Sequence, residues 1–280
     1  MREVAIIGAG DLGGALAHML ARCDVVRTIR LIDEKGSIAS GKALDIAQAA
    51  PVEGFATQVT GAADAATAAG ASVIVVADNA AGGEQQGDEA ALFARRLATM
   101  APRAVQLWAG ATHGGVIDRA TRELHLDRRK ILASAPEAFT AGARALCALA
   151  ANASPRDVAL SIVGSPPADS VVIWEHATIG GVALTSRLDE PTRRRVAARI
   201  AASWPPGPYA LAAAAVRAIE AIVGRTRSTV TCFVGPDATA GTRTKTVALP
   251  VRLGAGGVVD VVMPELSVAE RVALERAMML

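Results

Sequence analysis

The residues best suited to chemistry are three glycines and an acid near the start of the chain. Gly8, Gly10 and Gly13 lie in Gly8-Ala9-Gly10-Asp11-Leu12-Gly13, and Asp33 follows twenty residues after Gly13. The first glycine lets the chain turn sharply, the second removes a side chain that would hold a pyrophosphate off the backbone, and the third permits close helix-on-strand packing. A helix opening at Asp11 and Leu12 would offer unpaired amides to phosphate oxygens. Asp33 is placed to accept from ribose hydroxyls and would repel a 2'-phosphate, which points to NAD over NADP.

Such a turn works only between a strand and a helix. Val4 to Ile7 is a short apolar run before it, a helical pattern follows through Ala21, and a second run spans Thr28 to Ile32. Gly41 to Ala50 predicts a helix stopped by Pro51, Thr57 to Thr60 a short strand, and Ala71 to Ala77 a buried strand whose end, Ala77, should face the cofactor. This is a right-handed beta-alpha-beta series with its crevice at the carboxyl ends of the strands. Asp78 to Gly87 is a polar, glycine-rich segment, read either as a lid over that crevice or as an ordinary surface loop. A helix over Asp88 to Met100, a strand over Ala104 to Ala109, a helix over Gly115 to Leu124 and a strand over Lys130 to Ala133 complete the first half.

From Pro136 the texture changes to shorter strands between helices, with a hairpin at Gly180-Gly181, a break at Pro205 to Pro208, strands at Thr244 to Val251 and Val258 to Met263, and a last helix capped by Ser267 and Glu270. The fold class expected is α/β: a Rossmann doubly wound parallel sheet over 1–135, followed by a mixed α+β catalytic-type lobe over 136–280.

Composition narrows the function classes. Among 280 residues, 51% are hydrophobic and 3% aromatic, so the core must be built from Ala, Val, Leu and Ile. A net charge of +2 with scattered basic residues speaks against nucleic acid, and no apolar run is long enough for a membrane span. The strand beginning within three residues of Met1 leaves no signal peptide, and Cys23, Cys147 and Cys232 are read as buried free thiols; both suit the cytoplasm. No spacing recommends a metal site.

Several longer runs resemble the malate/lactate dehydrogenases, most nearly the bacterial malate dehydrogenases of lactate-dehydrogenase type. They are Gly8 to Gly13, the run from Gly41 to Gly54, Thr178-Ile179-Gly180-Gly181, and Pro250 to Val258. The resemblance implies NAD, a small carboxylic acid substrate, and a homodimer or homotetramer built through helices such as Gly41 to Ala50. It also implies a catalytic histidine and aspartate, an arginine clamping the carboxylate, and arginines on the lid. Here the catalytic turn reads Ser165-Pro166-Pro167-Ala168-Asp169, and proline can neither take nor give a proton. Only Arg144 matches the carboxylate clamp, and Ala80 to Gly87 contains no arginine. Asp78 replaces a small glycine, which puts a carboxylate near the cofactor.

Substitute groups are few. His113 lies just past the strand end that should face the nicotinamide, and is read as a catalytic or substrate group or as a loop histidine. Arg144 would bind an anion or pair with a carboxylate of its own fold. His176 is expected to pack beside Trp174, His18 and His125 to be structural, and Glu137 and Asp169, near the altered motifs, are read either as supporting a new base or as solvated carboxylates. Two readings stand: a divergent NAD-dependent oxidoreductase of a small 2-hydroxy or 2-oxo acid, with ordinary malate turnover impaired, or a catalytically deficient NAD(H)-binding paralogue with a regulatory or assembly role.

Overall fold

The structure, a computed structural model, describes residues 3–237 and 244–279. Its first half alternates strand and helix: β1 (Glu3–Ile7), α1 (Asp11–Cys23), β2 (Thr28–Ile32), α2 (Gly36–Glu53), β3 (Gln58–Ala62), β4 (Val73–Val76), α3 (Gly87–Met100), β5 (Val105–Trp108), α4 (Gly114–Arg122) and β6 (Ile131–Ala133). The strands are parallel in the order β3-β2-β1-β4-β5-β6. The order reverses between β1 and β4, so the loops after these two strands diverge and leave a crevice at their carboxyl ends. Both faces of this sheet are covered, and β4 and β5 are buried throughout. That is why they read as unbroken apolar runs rather than alternating ones.

The second half opens with α5 (Ala135–Ala150), directly after β6. Then come β7 (Val158–Ser165), β8 (Asp169–Ile179), β9 (Val182–Ala183), the short α6 (Leu184–Arg187), α7 (Glu190–Ala201), α8 (Pro208–Ile222), β10 (Val230–Val234), β11 (Val247–Gly254), β12 (Gly257–Val261) and α9 (Val268–Met278). β10 pairs antiparallel with β6, so one sheet of twelve strands runs through both halves. α8 lies against α1 and α5, and its alanines allow that close approach: Ala212, Ala215 and Ala218 are fully buried.

Several element boundaries differ from the sequence expectation: α2 begins at Gly36 rather than Gly41, β3 covers Gln58–Ala62 rather than Thr57 to Thr60, β12 ends at Val261 rather than Met263, and two further differences have a visible cause. Pro51 does not stop α2, because it falls in the last turn, where its missing amide costs a single hydrogen bond. The helix ends at Gly54, whose left-handed φ of 77° directs its N–H to the Ala50 carbonyl at 2.8 Å. β11 starts at Val247 rather than Thr244, since the preceding amides are spent elsewhere: Lys245 donates to the Met278 carbonyl and Thr246 to Asp118. The cap of α9 is as expected, with Ser267 and Glu270 exchanging hydrogen bonds in a capping box.

Cys147 and Cys232 are buried, as expected, but Cys23 is exposed, because α1 ends at that residue and the chain turns away at Asp24. His176 does not pack as a core residue. Its side chain is half exposed and faces Glu265 at 3.8 Å, since residues 175 and 176 of β8 both lie toward solvent. Among the described residues no helix is long and apolar enough to cross a membrane.

Candidate functional site

The glycine turn sits at the switch point between β1 and β4. Gly8 has φ +109°, and a Cβ there would lie 2.4 Å from the Asp78 carbonyl oxygen. A Cβ on Gly13 would lie 2.0 Å from the Gly8 carbonyl oxygen, so α1 can rest on the strand only with glycine at that place. Lys42 of α2 donates to the Gly10 carbonyl at 2.6 Å and brings a cation beside the turn.

The Leu12 and Gly13 amides are the second and third of α1, which is where a pyrophosphate would be received. Here both point at one carboxylate. Leu12 N donates to Asp78 Oδ2 at 3.1 Å and Gly13 N to Asp78 Oδ1 at 2.9 Å. The space left by Gly10 is filled by the same group, for a Cβ there would lie 2.3 Å from the Asp78 carboxyl carbon. Gly10 is the N-cap of α1 and has no side chain to cap with. Asp78, far away in sequence, makes the two bonds a capping side chain would make.

Asp33 ends β2 as expected, but it is only 5% exposed and its bonds are to backbone. Oδ2 accepts from Ala9 N at 2.9 Å and Ala80 N at 2.8 Å, and Oδ1 from Lys35 N at 2.9 Å. Burial pushes this carboxyl up, but the three amides and the Lys35 charge outweigh it and hold the group below the usual aspartate range.

The loop after Ala77 lies down over the crevice. Asp78 and Glu84 form an isolated antiparallel bridge closed by a turn in which Asn79 N donates to the Gly83 carbonyl at 3.0 Å. Glu84 then reaches the end of β5, accepting from Ala111 N at 2.9 Å, Thr112 N at 2.8 Å and the Thr112 hydroxyl at 2.5 Å. Burial opposes its charge, yet the Thr112 hydroxyl and amide, the facing His113 and the Ala111 amide keep its carboxyl below the ordinary glutamate range. Glu84 carried no sequence signal. Its spacing from Asp78 in a glycine-rich loop becomes meaningful only once the turn between them is seen.

His113 and Arg144, the sequence candidates for catalysis, stand apart from each other. His113 is 0% exposed and precedes α4; its Nδ1 accepts from Gly110 N at 2.9 Å and its ring meets Trp108 edge to face at 5.0 Å. Nε2 makes no well-aligned hydrogen bond, although the Gln85 backbone is near. Burial pushes the imidazole down to about 4, against the pull of Glu84 and Gln85, so the ring is neutral at pH 7.

Arg144 lies on α5, where Nε donates to the Leu160 carbonyl at 3.0 Å and Nη1 is 3.6 Å from Glu137 Oε1. Glu137 is not a solvated carboxylate: it is 3% exposed, lies 3.2 Å from Arg217 Nε, and accepts from Thr231 N at 2.8 Å. Its place in the first turn of α5, packed against α8 and β10, accounts for the burial. Asp169 opens β8 half exposed, 3.8 Å from Lys245 Nζ.

A cavity of about 390 Å³ adjoins the Glu84 anchor, lined by Thr112, Asp118, Ser165, Pro166, Lys245 and Thr246 among others. Lys245 and Thr246 were not singled out from the sequence, because nothing local to them signals that β11 begins beside α4. Among the described residues no cluster of His, Cys, Asp or Glu could hold a metal ion.

A doubly wound parallel sheet, a glycine turn at its switch point and a mixed second half continuing the sheet define a dinucleotide-binding chain of dehydrogenase type. Residues 2–100 match the family model described as lactate/malate dehydrogenase, NAD binding domain. The chain is 25% identical to a malate dehydrogenase of Salinibacter ruber, with 98% of this chain and 92% of that one covered. It is 27% identical to a malate dehydrogenase of Thermomicrobium roseum, covering 99% and 94%. The crystal structure of the Salinibacter ruber enzyme shares the fold with a TM-score of 0.86 at 23% identity, over 99% of this chain and 94% of that one. So does the lactate dehydrogenase of Cryptosporidium parvum complexed with lactic acid and NAD, with a TM-score of 0.87 at 20% identity over 99% and 94%. Over nearly its whole length the chain is thus similar to malate dehydrogenases, and its residues 2–100 match the NAD-binding domain of the lactate/malate dehydrogenases. NAD is the cofactor of the domain that residues 2–100 match. Gly8, Gly13 and the amides of Leu12 and Gly13 fit that group, but in this conformation the amides carry the chain's own Asp78.

Proposed function

We propose that the chain is a divergent NAD-dependent oxidoreductase of malate/lactate dehydrogenase type, acting on a small 2-hydroxy or 2-oxo carboxylic acid. The observation that carries this reading is the glycine turn at the switch point, with a cavity of mixed lining, holding one lysine, at the end of the neighbouring β5. Bound there, NAD would supply the hydride acceptor. Gly8, Gly10, Asp11, Leu12, Gly13, Asp33 and Ala77 are the residues proposed to hold it.

Lys245 is the one cation lining that cavity among the described residues, and it is the group we assign to the substrate carboxylate. Arg144 lies outside this cavity, donating to the Leu160 carbonyl and facing Glu137, and is assigned to the fold instead. The cavity wall has no imidazole, and its carboxylate, Asp118, is already tied to Arg122 at 2.8 Å and to Thr246 N at 2.7 Å. Losing a positioned acid/base slows proton transfer by about 10²–10⁴-fold, so turnover of ordinary malate should be low.

The test is NADH formation from NAD across a panel of 2-hydroxy acids. Turnover with one of them is expected, and Lys245→Met should raise its KM by about tenfold. A protein that binds no NADH at millimolar concentration would remove the reading. The second reading, a catalytically deficient NAD(H)-binding paralogue, is favoured by the missing imidazole and would be signalled by NADH binding without turnover on the whole panel. A homodimer or homotetramer is the proposed assembly, supported by Leu44 and Val52, which stand 60% and 89% exposed on α2.

A further inference from the structure

We propose that Asp78 is an internal competitor for the cofactor's pyrophosphate, and that the 78–84 loop is an autoinhibitory strap which NAD must lift in order to bind. This rests on NAD being the ligand of the crevice.

The argument starts from the amides. Two N–H groups at the start of a helix, aligned with its dipole, favour one anion in one place. In this chain they already have one: both oxygens of Asp78 are engaged, at 3.1 and 2.9 Å. A pyrophosphate oxygen cannot take the same donors while Asp78 keeps them. Nor can it enter beside the carboxylate, because the space over Gly10 is the space the carboxylate fills.

The strap is held at both ends and in the middle. Asp78 closes on α1, Ala80 N donates to Asp33 at 2.8 Å, and Glu84 accepts from Ala111 and Thr112 beyond β5. These ties use the groups a dinucleotide would need along its length: the helix amides, the acid at the end of β2, and the backbone at the end of β5. The segment between them contains Gly82 and Gly83, both at positive φ, so it can rearrange without side-chain strain. Lifting the strap exchanges one anion on the α1 amides for another. The net gain on cofactor binding is therefore reduced by what Asp78 already supplied there.

The experiment compares wild type, Asp78→Gly and Asp78→Asn by NADH calorimetry and by amide hydrogen exchange at Leu12 and Gly13 without cofactor. Asp78→Gly should exchange faster at these two amides, bind NADH at least about tenfold more tightly, and regain protection when NADH is added. Asp78→Asn, which keeps the size and loses the charge, should fall between. Measurable NADH binding with equal affinity in all three proteins would overturn the strap and leave the cofactor reading standing. No NADH binding by any of them at millimolar concentration would overturn both, even if exchange at Leu12 and Gly13 responded to the substitution. Unchanged exchange at both amides in Asp78→Gly would show that the carboxylate does not hold them, and would overturn the strap alone.

Discussion

Two places in this molecule keep donors suited to a bound anion and satisfy them with the chain's own carboxylates, but they do so differently. At the start of α1 the donors are backbone amides and the carboxylate is Asp78, half-buried at the root of a glycine-rich loop. At the start of α5 the donors are Arg144, Arg217 and Thr231 N, and the carboxylate is Glu137, enclosed by helices on a rigid element. A buried donor without a partner is costly, so when a ligand-binding group is kept while its chemistry changes, something must pair with it. Asp78 can withdraw with its loop; Glu137 cannot leave without unpacking α5. The comparison teaches that one anion site is suppressed reversibly and the other has become structure.

The largest effect should come from Glu137. Glu137→Ala leaves Arg144, Arg217 and the Thr231 amide without their shared carboxylate, and breaking a buried pair of this kind costs about 3–5 kcal/mol, with the low end expected because Arg144 and Arg217 are partly exposed. Urea unfolding measures it, and a loss below about 1 kcal/mol would erase the contrast with Asp78.

Acid should act next, through the far end of the strap. His113 is held at about 4 in the folded chain against 6.5 when free, so the unfolded chain takes up a proton first as pH falls. Stability is fully present above about pH 6.5 and declines toward pH 4, by on the order of 3 kcal/mol. Glu84, whose folded carboxyl lies below its ordinary value of 4.5, adds a further loss only below that pH. The check is the slope of unfolding free energy between pH 7 and 5, which should flatten in His113→Gln.

The smallest effect sharpens the comparison most. Asp78→Ala and Ser267→Ala each remove the cap of one helix, and each should cost about 1 kcal/mol without cofactor. Thermal unfolding with and without NADH separates them. NADH should recover the Asp78→Ala loss and more, and leave the Ser267→Ala loss as it was.

Much of this was legible in the sequence, because short-range patterns carried it. The glycine turn, the buried runs of β4 and β5 and the Ser267 capping box each lie within a few residues and have one stable solution. The groups that decide the site were legible only in part. Asp78 stood out as an acid where the resemblance expects glycine, but its role as a cap for α1 depends on β1 lying beside β4. Glu137 looks in sequence like any first-turn glutamate, and its burial comes from α8 and β10, which the chain supplies far downstream. Cys23 misled for the converse reason: the apolar run Met19 to Ala21 lies just before it, but the helix ends on it.

The junction of β6 with β10 bears on how this chain could be divided. Only two residue pairs join the halves there, Ala133 with Phe233 and Leu132 with Val234. They nonetheless cover two of the three residues of a fully buried strand. A fragment ending near residue 135 would present β6 as a bare apolar edge, the form of strand that recruits other chains and aggregates. The second half thus shields the first, a reason for this chain to keep it whatever becomes of its chemistry.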